Sequence, residues 1–162
     1  MKHVFKFGII AAMLCPAPLL AQNAGHVENA TGGASCPACN LFQADFSFKD
    51  MPGRNFAKAK MRQSNLSLST MNNAKFDGAD LSVSNMFGGR FSGAGFRYSN
   101  LQNATMVGGY FGGADFKGAN LTGANLSGAD LQTARINQAQ LNKACGDQYT
   151  LLPARLTIKP CK

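Results

Sequence analysis

Histidine is almost missing from this 162-residue chain, which has only His3 and His26. That shortage closes most routes to acid–base catalysis by imidazole. The motifs that announce a catalytic serine elbow, a phosphate-cradling loop or a dinucleotide site are missing too. Acidic residues are few, eight against sixteen Lys and Arg, for a net charge of +8. No long apolar run follows the first 21 residues, so nothing after them reads as a membrane span. These gaps point to a non-catalytic protein that needs no cofactor and no metal.

What is present begins with an export signal. Lys2 and Lys6 precede the apolar stretch Phe7–Leu20, which Cys15-Pro16-Ala17-Pro18 interrupts, and Ala21 precedes the polar Gln22. Residues 1–21 read as a secretory signal peptide, cleaved after Ala21, with Ala24 as the alternative. Leu14 stands before Cys15 where a lipoprotein signal wants a small residue, so a lipid anchor is rejected. The expectation is an exported chain, periplasmic or secreted. Cleavage leaves fourteen cations against eight anions, a charge of +6. It also leaves four cysteines, Cys36, Cys39, Cys145 and Cys161. An even number in an exported chain suggests disulfides, and four cysteines allow three connectivities.

A five-residue pattern fills the middle. In GADFKGANLTGANLSGADLQTA, Gly113 to Ala134, a large apolar residue recurs every fifth position. That period fits neither a helix nor a strand. One frame runs from Leu41 through Phe46, Met51 and Phe56 to Ile136 and Leu141, and all twenty-one of its positions are large and apolar. Two residues before each stands a small one, such as Ala44, Ser64, Ala79 or Ala139; Lys49 and Arg54 are the exceptions. Asp or Asn often precedes the apolar residue, and Gly often follows it by two.

This pattern resembles the pentapeptide repeat family, whose motif is loosely A(D/N)LxG, over about two thirds of the chain. The resemblance implies an all-β fold, a right-handed quadrilateral β-helix with one pentapeptide per side and four per coil. The residues support four sides independently. At a spacing of twenty, Phe56, Phe76, Phe96 and Phe116 fall in one column closed by Ile136, and Leu41, Leu81, Leu101, Leu121 and Leu141 fall in another with Met61. Like then stacks on like, as in ladders of stacked sheets. Small inward neighbours leave room for four large side chains per coil. Lys49 and Arg54 are expected to distort the first coil so that their charges reach water. About five coils at ~4.8 Å each make a rod about 25 Å long.

The expected organisation is a signal peptide at 1–21, a flexible Gly- and Asn-rich leader at 22–35, the repeat solenoid at 36–144 and a capping tail at 145–162. A rod of that length puts the cysteine pairs at opposite ends, which excludes one four-cysteine zinc site. The expected bridges are then Cys36–Cys39 and Cys145–Cys161, the second folding the tail over the last coil, as in similar tails of exported pentapeptide proteins. Two rivals remain open for Cys36 and Cys39: a redox pair, or a metal site joined by His26.

Function must come from departures from the repeat. The side with the phenylalanine column carries Arg54, Lys58, Lys75, Arg97, Lys117 and Arg135 against Asp77 and Asp115. The leucine-column side adds Lys60, Arg62 and Lys143 against Asp80. This basic stripe is either a solvated face or a contact for an anionic envelope component or an acidic protein. Another side holds Phe48, Leu68, Phe87 and Val107 in outward positions. That patch is expected either to lie under the leader or tail or to form a contact, including a homodimer. The leading reading is a rigid binding or scaffold module of the cell envelope whose partner is unknown. A gyrase-protecting DNA mimic, a role known in the family, would be acidic and cytoplasmic, so basic charge and export disfavour it. Nucleic acid is disfavoured as a partner, and the aspartates are read as turn-forming.

Overall fold

Turn chemistry recurs every five residues, and the chain bends at each recurrence. In the computed structural model, which describes residues 23–162, the small residue of each unit donates its N–H to the carbonyl of the large apolar residue three before it. Examples are Ala44 to Leu41 at 3.1 Å and Ala104 to Leu101 at 3.1 Å. The residue between them is left-handed, with φ of 56° at Gln43 and 66° at Gly93, as a type II turn requires. The signal peptide read at 1–21 lies outside the described residues.

Four such turns close one coil. Parallel bridges join residues twenty apart, from Asn40 with Lys60 up to Asp115 with Arg135. The ladder alternates direction: Leu41 N–H donates to the Lys60 carbonyl, and Lys60 N–H donates to the Cys39 carbonyl, both at 2.8 Å. All these bridges are isolated, and no continuous strand occurs among the described residues. The expected β-helix is thus built of bridges and not of strands: a turn every five residues leaves little more than one residue per side free to pair, and the regular elements among the described residues are two short helices at the ends.

The interior follows the frame. From Leu41 to Leu131 every large apolar residue of the frame is buried. Phe76, Phe96 and Phe116 stack with centroids 5.1 and 5.0 Å apart. A second aromatic column, Phe91 on Phe111 at 5.3 Å, stands beside the first and meets it edge to face. Gly89 and Gly109 fill the small position beneath these rings, where a Cβ would approach Phe91 and Phe111 to 2.5 and 2.6 Å. The Asp and Asn positions build the corners: Asp45 Oδ1 accepts the Ser47 N–H at 2.9 Å, and Asn120, Asn100 and Asp80 link successive coils through their side chains.

Lys49 and Arg54 do reach water, yet the first coil is not distorted as expected. Lys49 and Arg54 still accept in register from Thr70 and Lys75, both at 2.8 Å. Both side chains are exposed while the backbone keeps its register.

Both ends are covered. The segment read as a flexible leader carries α1, Ala24–Thr31, with Asn23 accepting the His26 N–H at 3.2 Å as its N-cap. Val27 packs on the core and Ala30 is buried, which gives the helix its reason to order. At the other end the repeat frame breaks. Ile136 is only half-buried and Ala139, expected inward, is exposed, because α2, Gln138–Leu141, replaces a turn. Gln140 is buried there and its Nε2 donates to the carbonyls of Phe116 and Ala119 at 2.6 and 3.0 Å. Pairing resumes between Asn125 and Cys145, then slips by one residue so that Asp130 meets Leu151. The tail closes over the coil through Leu152, Leu156 and Ile158. Disulfides join Cys36 to Cys39 and Cys145 to Cys161.

Two serines in the small column test this packing. Ser64 and Ser84 have buried hydroxyls without a partner, whereas Ser69 and Ser99 donate to the carbonyls of Leu66 and Phe96 at 2.7 and 2.8 Å. Ser64→Ala and Ser84→Ala should each raise stability by about 1 kcal/mol, and Ser69→Ala and Ser99→Ala should lower it by a similar amount. Urea unfolding of the four variants checks the signs; the same sign for both pairs would contradict the packing.

Candidate interaction surfaces

The column register decides which surface charges meet. Arg54, Lys58, Lys75, Arg97, Lys117 and Arg135 are all exposed on the phenylalanine-column side. They do not form one even stripe. Asp77 and Gly78 interrupt the cations in the coil between Lys75 and Arg97. Above that break, Asp115 Oδ2 lies 2.8 Å from Arg97 Nε and 3.7 Å from Arg135 Nη1. The upper cations are therefore partly neutralised. Burial pushes the Asp115 carboxyl up, but the Lys117 N–H and the two guanidiniums outweigh it and hold the carboxyl below its usual range.

The lower cations meet at a corner. Lys58 belongs to the phenylalanine side, and Lys60 and Arg62 to the leucine side. The corner between those sides sets them along one groove of about 430 Å³, together with Phe42 of the coil below and Gly78 and Asp80 of the coil above. The Lys58 stem lies across Gly78, where a Cβ would meet its Cγ at 3.5 Å. Asp80 looks like a counter-charge, but its Oδ1 already accepts from Ser82 N–H, Ser82 Oγ and Asn100 Nδ2 at 3.1, 2.7 and 3.1 Å. Among the described residues no ion pair joins Asp80 to Lys58, Lys60 or Arg62. Charge summed side by side hides this cluster. Summing by coil would have revealed it, because the three cations fall within five residues around one corner.

The apolar patch also takes shape from the register. Phe48 and Leu68 lie one above the other, Leu68 covers Gly88, and Phe87 and Val107 continue the line on the neighbouring column. Phe48 is 75% exposed, with Leu68 and Phe87 about half exposed and Val107 less so. Neither α1 nor the tail covers these side chains, since both pack at the ends of the coil stack.

The residues considered for redox or metal chemistry each have a partner in the fold. Cys36 and Cys39 are disulfide-bonded to each other and buried. His26 accepts the Asn40 N–H through Nδ1 at 3.2 Å. Among the described residues no group of three or more His, Cys, Asp or Glu could hold a metal, and no helix is long and apolar enough to cross a membrane.

Twenty-residue coils with inward large and small residues define a pentapeptide solenoid. The family model for pentapeptide repeats matches residues 54–88 and 110–145 in eight copies, and the chain belongs to that family. Pentapeptide repeat proteins fold into right-handed quadrilateral β-helices. A pentapeptide repeat protein from the thylakoid lumen of Arabidopsis thaliana is 24% identical, covering 70% of this chain and 75% of its own, with a TM-score of 0.52. HetL from the cyanobacterium Nostoc, involved in heterocyst differentiation regulation, is 20% identical over 78% and 60% of the two chains, with a TM-score of 0.31. QnrB1, a plasmid-mediated fluoroquinolone resistance protein, is 18% identical over 64% of each chain, with a TM-score of 0.32. The first likeness shows the fold and nothing of the role. No curated protein matches the chain.

Three carboxylates tie the surface to acid stability. Asp45, through the Ser47 N–H and hydroxyl first, and Asp147, through the Gly128 N–H first, are also held below the usual range. A lowered folded value stabilises the fold above the unfolded value of about 4, and that contribution is lost as pH falls through the folded value. The urea midpoint should therefore be level between about pH 7 and 5 and fall below about pH 4. Asp115→Asn should make the acid fall shallower; a midpoint equal at pH 3 and pH 6 in the parent would contradict the assignment.

Proposed function

We propose that the protein is a non-catalytic, exported module whose rigid basic corner holds an anionic component of the cell envelope. The observation that carries this reading is the convergence of Lys58, Lys60 and Arg62 on one groove with no ion-pair partner among the described residues. Cations kept unpaired and close together attract anions, and a fixed backbone spares the ordering cost of binding. Two disulfides suit an oxidising compartment, in keeping with export. The bonded cysteines and the engaged His26 favour binding over metal chemistry, and the burial of Cys36 and Cys39 disfavours thiol exchange. The exposed line of Phe48, Leu68 and Phe87 offers a second contact, for a protein partner or a second copy of the chain.

Retention of the purified protein on an immobilised anionic polymer and on anionic vesicles tests the reading. Lys58→Glu/Lys60→Glu/Arg62→Glu should elute at clearly lower salt than the parent. Arg97→Glu/Lys117→Glu/Arg135→Glu should shift less, because Asp115 already offsets that group. Unchanged retention in the first variant on both supports would refute the reading.

A further inference from the structure

We infer that the corner groove recognises a negatively charged sugar unit, a pyranose bearing a carboxylate or a phosphate. This rests on the proposed anion-binding role and names the ligand class. The first observation is the pairing of an aromatic ring with cations. Leu41 donates to the Lys60 carbonyl at 2.8 Å and Gln43 to the Arg62 carbonyl at 3.0 Å. That register sets Phe42 at the same corner as Arg62, one coil below it. Phe42 is half-buried and lines the groove with Lys58, Lys60 and Arg62. A sugar ring has an apolar C–H face that suits an aromatic side chain, and its acidic substituent suits the cations, with Arg62 able to engage two oxygens at once.

The hydroxyls of such a ring also find a partner. Asp80 accepts three hydrogen bonds, all through Oδ1, so the second oxygen is available to accept from a sugar hydroxyl. The groove, about 430 Å³, falls within the ordinary range for small-ligand sites. Its surroundings argue against a long polyanion laid along the rod. Asp77 and Asp80 in the next coil break the run of positive charge, whereas a nucleic acid strand presents a phosphate about every 3.4 Å and needs an unbroken track. Recognition is local, of one charged unit.

Titration of the isotope-labelled protein followed by amide chemical shifts tests this. The probes are a galacturonic acid trimer, glucose 6-phosphate, maltotriose and inorganic phosphate. The two acidic sugars separate carboxylate from phosphate recognition, and binding of either at the groove supports the inference. Neutral maltotriose and phosphate alone should each bind at least about tenfold more weakly than the better acidic sugar. Arg62→Ala should weaken that sugar at least about fivefold, and so should Phe42→Leu, which keeps apolar bulk and removes the ring. A urea midpoint measured for each variant confirms that it remains folded.

Three results would overturn the inference: no shift with either acidic sugar at about 10 mM, phosphate alone binding as tightly, or unchanged affinity in Phe42→Leu. Polymer retention that fails in the Lys58→Glu/Lys60→Glu/Arg62→Glu variant but persists in Phe42→Leu, with no acidic sugar bound, would refute sugar recognition and leave the wider anion-binding reading standing.

Discussion

The backbone ladder between residues twenty apart is the constraint on which everything else depends. Each side is too short to form a strand, so about three backbone hydrogen bonds per side, such as those donated by Leu41, Gln43 and Lys60, must hold successive coils together. From Asn40 to Arg135 that bonding keeps one register, because a shifted coil would drive small residues onto phenylalanine rings and turn residues inward. The stacked phenylalanine columns reinforce the same register from inside, since rings at about 5 Å spacing fit only when the coils are aligned. Gly89 and Gly109 show how little space is left, for even a methyl group there would meet a ring.

A stack of this kind has two open edges, and each is closed by a different device. At the start, a short helix docks through His26, Val27 and Ala30. At the finish, α2 turns the amide of Gln140 onto the carbonyl of Ala119, which a further coil would otherwise satisfy, and onto that of Phe116, which already accepts within its turn. The tail then crosses the coil and is tied back by Cys145–Cys161. Such closures suit a repeat protein, whose terminal units must end the ladder without offering it to another chain.

Much of this was legible in the sequence, for physical reasons that can be named. An inward position must be large and apolar and its neighbour small, so the frame from Leu41 to Leu131 could be read directly, and twenty-residue stacking followed from the phenylalanine column. The second aromatic column, Phe91 and Phe111, was also in the letters but was masked by Met51, Met71 and Leu131 in the same file. The ends were harder. Helix α1 depends on an apolar coil face that exists only after folding, and the break at Ile136 hides behind a sequence that still obeys the five-residue rule through Ala139 and Leu141. Whether a cation is neutralised depends on neighbours in other coils, so Arg97 and Lys58 look alike in sequence although only Arg97 has a carboxylate beside it.

The surfaces inherit their geometry from the ladder: the groove at Lys58, Lys60 and Arg62 exists because a corner of one coil sits on the corner below. Amide hydrogen exchange of the folded protein examines that ladder most directly. Amides of Leu66, Leu81, Met86 and Phe96, bonded to carbonyls of the next coil, should exchange slowly, while those one residue later, Ser67, Ser82, Phe87 and Arg97, bonded only to side chains, should exchange faster. Protection that recurs every five residues along the coils is the expected result; protection in unbroken runs longer than five residues, or with no such period, would contradict the twenty-residue register.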